Sequence, residues 1–208
     1  MARGLTVDRI VVAAIELADE DGLAAVSMAR VAERVGFTTM SLYRHVASKE
    51  DLVWRMLDVA LGPAPEFATP DWRTGLQRWA HEFRAKLLRH PWGIDIPITG
   101  ALATFSQVSW LNRGLEALAS TTLHPGEQAD LVLLLNGYVF WAVRLETSLA
   151  GAPPQPLVPG AFDLDALPFL RGAHESGAFE DSYTDDENFQ SGLDRVLDGF
   201  GVLIERRA

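Results

Sequence analysis

Cysteine is absent from the 208-residue sequence, which excludes disulfides and thiolate metal sites and is compatible with a reducing cytosol. Charge is sparse. Asp, Glu, Lys and Arg make up 22% of residues against 48% hydrophobic, the balance of a folded globular chain and not of a disordered one. Long apolar runs are missing as well. The longest stretch, 131–143, is interrupted by Asn136 and bounded by Asp130 and Arg144, too short to cross a bilayer as a helix, so it reads as a buried core helix. The opening MARGLTVDRI has no apolar secretory segment, and the expectation is a soluble, cytoplasmic protein with no membrane partner. No period-two strand pattern, internal repeat or low-complexity tract competes with a helical reading.

Catalytic constellations are also missing. The five histidines, His45, His81, His90, His124 and His174, are scattered, no HExxH occurs, and no glycine loop is built to cradle phosphate. The adjacent pairs His81-Glu82 and His174-Glu175 point in different directions on a helix. Neither an enzyme nor a metal or cofactor site is expected.

What the sequence does contain is helix with clear punctuation, in a length that suits one large domain or two small ones. Val7, Ile10, Val11, Ala14, Leu17 and Ala18 recur at helical spacing behind Thr6, a residue suited to the N-cap, and Asp21-Gly22 stops the run. Ser27 can cap a second helix with Val31, Ala32 and Val35 inward, and Gly36 allows the left-handed turn a helix end needs. Thr38 or Thr39 can cap a short third helix in which Leu42 and Val46, four apart, share a face. Ser48 can cap a fourth, with Glu50 and Asp51 at its positive end. The proline-rich GPAPEFATP (62–70) marks a boundary. Beyond it, helices are expected at 72–90, 104–119, 125–149, weakly at 163–174, and at 185–206. Residues 92–100 read as irregular, GAPPQPLVPG (151–160) as a connector, and an acidic loop precedes the last helix.

The net charge of -10 argues against nucleic acid only if DNA meets an average surface. Over 28–49, Arg30, Arg34, Arg44 and Lys49 stand against Glu33 alone, 4 - 1 = +3, whereas from 161 onward eleven acids face four arginines, 4 - 11 = -7. A helix, a glycine turn and a second short helix form a helix-turn-helix, whose second helix enters the DNA major groove. With Leu42 and Val46 as anchors, Thr39, Met40, Ser41, Tyr43, Arg44 and His45 occupy the other faces. Hydroxyls reach phosphates or base edges, Met40 can touch a thymine methyl, and Arg44 and His45 can pair with phosphate or guanine. Lys49 adds its charge to a helix N-terminus, which itself favours phosphate. On the pattern alone, an ordinary solvated surface helix fits equally well.

The stretch AAIELADEDGLAAVSMARVAERVGFTTMSLYRHVASKEDLV, and above all the spacing G-x-x-x-x-x-L-Y-x-H-V-x-x-K from Gly36 to Lys49, resembles the TetR family of bacterial transcriptional regulators. The stretch 71–92, DWRTGLQRWAHEFRAKLLRHPW, more loosely resembles the C-terminal domain of tetracycline-repressor-like members. The resemblance implies an all-α dimer: an N-terminal three-helix helix-turn-helix domain (1–48), a connecting helix (49–61) and a C-terminal helical ligand-binding and dimerisation domain (62–208). It further implies base contacts from Thr39, Met40, Ser41, Tyr43 and His45, with Lys49 on phosphate. Ser27 would sit at the backbone-facing start of the second helix, and Thr38 and Arg44 complete the candidate DNA-binding set. Met28 and Ala29 lack the polar side chains some members carry there. The expected partners are double-stranded, near-palindromic operator DNA and an unidentified, largely apolar small molecule that releases it. The tetracycline repressor's drug and magnesium site has no match here, and no metal or cofactor is carried over.

Aromatics crowd the C-terminal region, and a ligand cavity is expected to be apolar with a few placed polar groups. The candidate wall comprises Trp79, Phe83, Phe105, Gln107, Trp110, Asn136 and Trp141, with His81, Asn112 and Arg144 as further polar candidates. Plain core packing explains the same aromatics. Asn136 stands out because an amide among apolar neighbours must find a partner. Dimerisation is expected through the helices near 125–149 and 185–206, the latter presenting Phe189, Leu193, Val196, Leu197, Phe200 and Leu203. The alternative is an all-helical small-molecule-binding or adaptor protein that does not bind an operator.

Overall fold

The computed structural model describes residues 4–67, 71–97, 104–150, 164–177 and 186–207. These form nine α-helices and no strand among the described residues: α1 (Val7–Asp21), α2 (Met28–Val35), α3 (Thr39–Leu42), α4 (Lys49–Leu61), α5 (Trp72–Arg89), α6 (Phe105–Leu118), α7 (Pro125–Leu149), α8 (Pro168–Glu175) and α9 (Asp186–Arg207).

Each N-terminal helix starts where a side-chain oxygen satisfies an orphan backbone donor. Thr6 accepts from the Arg9 N–H at 3.3 Å, Ser27 from Arg30 at 3.2 Å, Thr38 from Ser41 at 3.3 Å and Ser48 from Asp51 at 3.1 Å. Thr104 and Gln107 close a reciprocal capping box at the start of α6. Gly36 ends α2 at φ 78° and ψ 33°, a left-handed conformation that an L side chain resists.

The structure departs from the sequence reading in four places. Pro91–Asp95, expected to begin an irregular segment, forms a 3-10 turn with proline at its first position, where its missing N–H costs nothing. A second 3-10 turn, Leu23–Ala25, joins α1 to α2. The expected helix at 163–174 is a 3-10 turn, Leu164–Ala166, followed by α8. Helix α3 keeps α geometry only to Leu42. A turn then runs to His45, but the Val46 N–H still reaches the Leu42 carbonyl at 3.0 Å, so both anchors stay buried. The connector 151–160 and most of the acidic loop lie outside the described residues.

Helix α1 packs on α2 and α4, and α4 packs also on α6. Helix α5 lies against α6 and α7, and α7 against α6 and α9. The apolar face expected of the last helix as a partner surface is mostly used within the protomer. Phe189, Leu193, Leu197 and Phe200 are all buried, the Phe189 ring stacks on Tyr138 at 5.5 Å, and the Tyr138 hydroxyl donates to the Phe189 carbonyl at 2.6 Å. Arg84 on α5 ties this assembly together. Its buried guanidinium pairs with Glu146 at 2.8 Å and Asp186 at 2.7 Å and covers the Phe189 ring at 4.7 Å.

Candidate functional site

Two surfaces carry the functional possibilities. On the first, Leu42 and Val46 are 0% and 1% exposed and fasten the turn after α3 to the core. That orients the remaining side chains outward. Met40 is 72% and Tyr43 49% exposed, Thr38, Arg44 and Lys49 are exposed, and Thr39, Ser41 and His45 are half-buried at the margin. The Thr38 and Ser41 hydroxyls lie 3.0 Å apart, and each retains further hydrogen-bonding capacity. Ser27 is half-buried as the cap of α2.

The charge count over 28–49 needs correction. Arg30 pairs with Asp21 at 2.6 Å, and Arg34 pairs with Glu20 and lies 3.7 Å from Glu16. Two of the four cations are therefore neutralised by α1. Arg44 and Lys49 form no ion pair among the described residues, and they carry the outward positive charge. The acids near Lys49 are turned into the helix start. Asp51 accepts the Ala47 N–H at 2.9 Å and pairs with Arg55 at 2.9 Å. The Ala47 N–H, then Arg55, holds its carboxyl below the usual value.

The second surface is a cavity of about 620 Å³ between α4, α5, α6 and α7. Trp79, Phe83, Gln107, Trp110, Asn136 and Trp141 line it as anticipated, whereas Phe105 is 73% exposed and is not on its wall. The helical period identified the apolar positions of α6 but not which of them face the cavity. His81 instead bonds Gln190 at 2.7 Å, and exposed Asn112 is also off the wall. Two indole N–H groups of the wall are satisfied. Trp79 donates to the Trp110 carbonyl at 2.8 Å and Trp110 to the Gly62 carbonyl at 3.1 Å. Their apolar faces, with Phe83 within 5.0 Å of both rings, are left to the cavity. Gln107 accepts the Thr104 N–H at 3.1 Å. The side-chain amide of half-buried Asn136 has no hydrogen-bond partner among the described residues.

Sequence reasoning missed Trp54, Leu57 and Leu61, which bring α4 to the cavity. Their spacing of three and four residues puts them on one helix face, the signal by which the sequence could have placed α4 on the wall. At its far end α4 is held to α6. Asp58 accepts the Ser106 N–H at 2.8 Å, the Gly62 carbonyl accepts from Trp110, and the Ala64 N–H donates to Ser109 at 3.0 Å. Among the described residues, no group of three His, Cys, Asp or Glu side chains is arranged to hold a metal ion, and no helix is long and apolar enough to cross a membrane.

Comparison with known families decides the matter. Residues 10–56 match the bacterial regulatory proteins of the tetR family, and residues 64–204 match the tetracyclin repressor-like C-terminal domain. The chain belongs to the tetR family. It is a DNA-binding transcriptional regulator of that family. Among its tetR-family relatives, the transcriptional repressor DrrR1 of Streptomyces coeruleorubidus is 32% identical across 98% of this chain and 80% of its own. The class D tetracycline repressor of Escherichia coli is 24% identical over 98% of this chain and 92% of its own. Apo ActR from Streptomyces coelicolor, a solved tetR-family structure, superposes with a TM-score of 0.80 at 26% identity, covering 99% of each chain. ActR in complex with (S)-DNPA does so at 0.76 and 25%, covering 97% of this chain and 100% of that one.

Proposed function

We propose that this cytoplasmic regulator is a repressor that reads a near-palindromic operator as a homodimer and releases it when a planar, aromatic small molecule occupies the cavity. The observation that carries the reading is the exposed ridge of Met40, Tyr43, Arg44 and Lys49 above two fully buried anchors. In this reading residues 1–48 form the reader, 49–61 the connector and 62–208 the sensing and pairing body. Thr39, Met40, Ser41, Tyr43 and His45 meet bases, while Ser27, Thr38, Arg44 and Lys49 meet phosphates.

Dimerisation is supported by what one protomer leaves uncovered. Leu133, Leu134 and Trp141 on α7 are 56%, 59% and 63% exposed, and Val202 on α9 is 48% exposed. Pairing through α7 and α9 covers them and sets two readers on half-sites about one DNA turn, roughly 34 Å, apart or a multiple of it. The ligand class follows from the wall, where clustered indoles and phenyl rings, tilted or edge-on to one another, offer aromatic faces and edges to a flat aromatic molecule. Naming of the relative as a repressor supports the direction of control.

Helix α4 links the two functions. Lys49 opens it beside the reader, Trp54, Leu57 and Leu61 face the cavity, and Asp58 and Gly62 fasten its end to α6. A ligand that fits one tilt of α4 better than the other changes the separation of the readers, and only that difference in fit drives release. Selection of duplexes from a random pool by the full chain tests the reading. It should enrich a near-palindrome to which Tyr43→Ala binds at least tenfold more weakly (on the order of a lost specific contact) while remaining dimeric. Failure to enrich any sequence, or undiminished binding by the variant, overturns it.

A further inference from the structure

Arg144 is the only ionisable residue on the described wall of the cavity. It also lines a second, smaller crevice of about 310 Å³, whose other walls are the end of α1 and the 3-10 turn Pro91–Asp95. Its Nη2 donates to the Ile94 carbonyl at 2.9 Å and to Asp95 at 3.2 Å. The same turn contributes Gly93 to the large cavity. On its other side the turn is tied to the reader. Asp19, on α1, accepts from the Trp92 indole at 2.7 Å and pairs with the His90 imidazole at 2.8 Å. Among the described residues these are the only hydrogen bonds between the residues before α4 and those after it.

Resting on the aromatic-cavity reading above, we propose that Arg144 selects effectors bearing an anionic group. That group competes with Asp95 and the Ile94 carbonyl for the guanidinium, which slackens the 3-10 turn and, through it, the Asp19 tie to α1. The chemistry of the competition is direct. A guanidinium presents a planar fork that a carboxylate or phenolate engages by two N–H donors. Both present bonds of Arg144 use Nη2, so an anion that engages the fork through Nη2 displaces them, and Asp95, 57% exposed, is able to turn into water. An apolar aromatic wall with one cation at its rim therefore suits a flat acid better than a flat neutral molecule. The Arg144 side chain is itself 47% exposed, so the preference is put at about tenfold, the low end for a charge-assisted hydrogen bond.

The test uses the full-length dimer and two probes of one shape, anthraquinone carboxylate and its neutral carboxamide, with quenching of the cavity tryptophans as the binding signal. The parent protein should bind the carboxylate about tenfold more tightly than the carboxamide. Arg144→Gln should erase that preference by weakening only the carboxylate. Asp95→Asn removes the internal competitor. It should tighten carboxylate binding by roughly threefold and lower by the same factor the carboxylate concentration that releases operator. Equal binding of the two probes by the parent, or a preference that survives in Arg144→Gln, overturns the proposal and leaves the aromatic cavity standing. Unchanged carboxylate binding by Asp95→Asn overturns the competition. Quenching by neither probe sinks the cavity reading itself, and this proposal with it.

Discussion

Replacement of Asp58 by alanine probes how α4 is fastened to α6. The carboxylate accepts the Ser106 N–H at 2.8 Å, in the first turn of α6. Ser106 is 1% exposed with the carboxylate in place, so its N–H depends on Asp58 as its acceptor. Losing a side-chain cap of this kind costs about 1–2 kcal/mol. The estimate is not inflated by collapse of the helix end, because Thr104 continues to accept the Gln107 N–H. For a chain of this size the change lowers Tm by roughly 2–8 °C. Asp58→Asn keeps an acceptor oxygen and should lose about half as much. Urea unfolding at one fixed protomer concentration, followed by tryptophan fluorescence, gives both values without the confounding effect of dimer dissociation. In the proposed coupling through α4, operator affinity should fall in the alanine variant as well. A cost within about 0.5 kcal/mol, the range of an ordinary surface change, refutes the reasoning, as does an asparagine variant as damaged as the alanine one.

Other perturbations have equally definite expectations. A Cβ at Gly114 would lie 2.6 Å from Val132 Cγ1, so Gly114→Ala should cost about 1–3 kcal/mol in urea unfolding. Val132→Ala should recover part of it, the non-additivity being read from a double-mutant cycle. Asp51 has its carboxyl held below the usual value by the Ala47 N–H and Arg55. Its contribution to stability is complete above the ordinary carboxyl value and is lost as pH falls through the lowered one. The stability gap between the parent and Asp51→Asn should therefore be full at neutral pH and close below about pH 4. A gap that widens on acidification contradicts the assignment.

The elements with local causes were legible in the sequence. Thr6, Ser27, Thr38 and Ser48 each cap a helix where their position before an apolar run indicated, and Gly36 adopts the left-handed turn. Six of the seven wall candidates surround one cavity, because bulky aromatics on α5, α6 and α7 have little other space to converge on. Phe105 was misplaced since periodicity gives a helix face and not its neighbour. The pairing of Arg30 and Arg34 with acids of α1 depends on how two helices cross, which a charge count along the chain does not contain. The same limit hid the inward packing of Phe189, Leu193, Leu197 and Phe200.

The most direct test of the account is the salt dependence of operator binding by the parent and by Lys49→Ala. Lys49 is exposed, forms no ion pair among the described residues and opens α4 beside the reader. Removing one phosphate contact should flatten the slope of log K against log salt by about one and weaken binding across sequences alike. An unchanged slope, with the variant folded and dimeric, contradicts the claim that this corner of the molecule meets DNA.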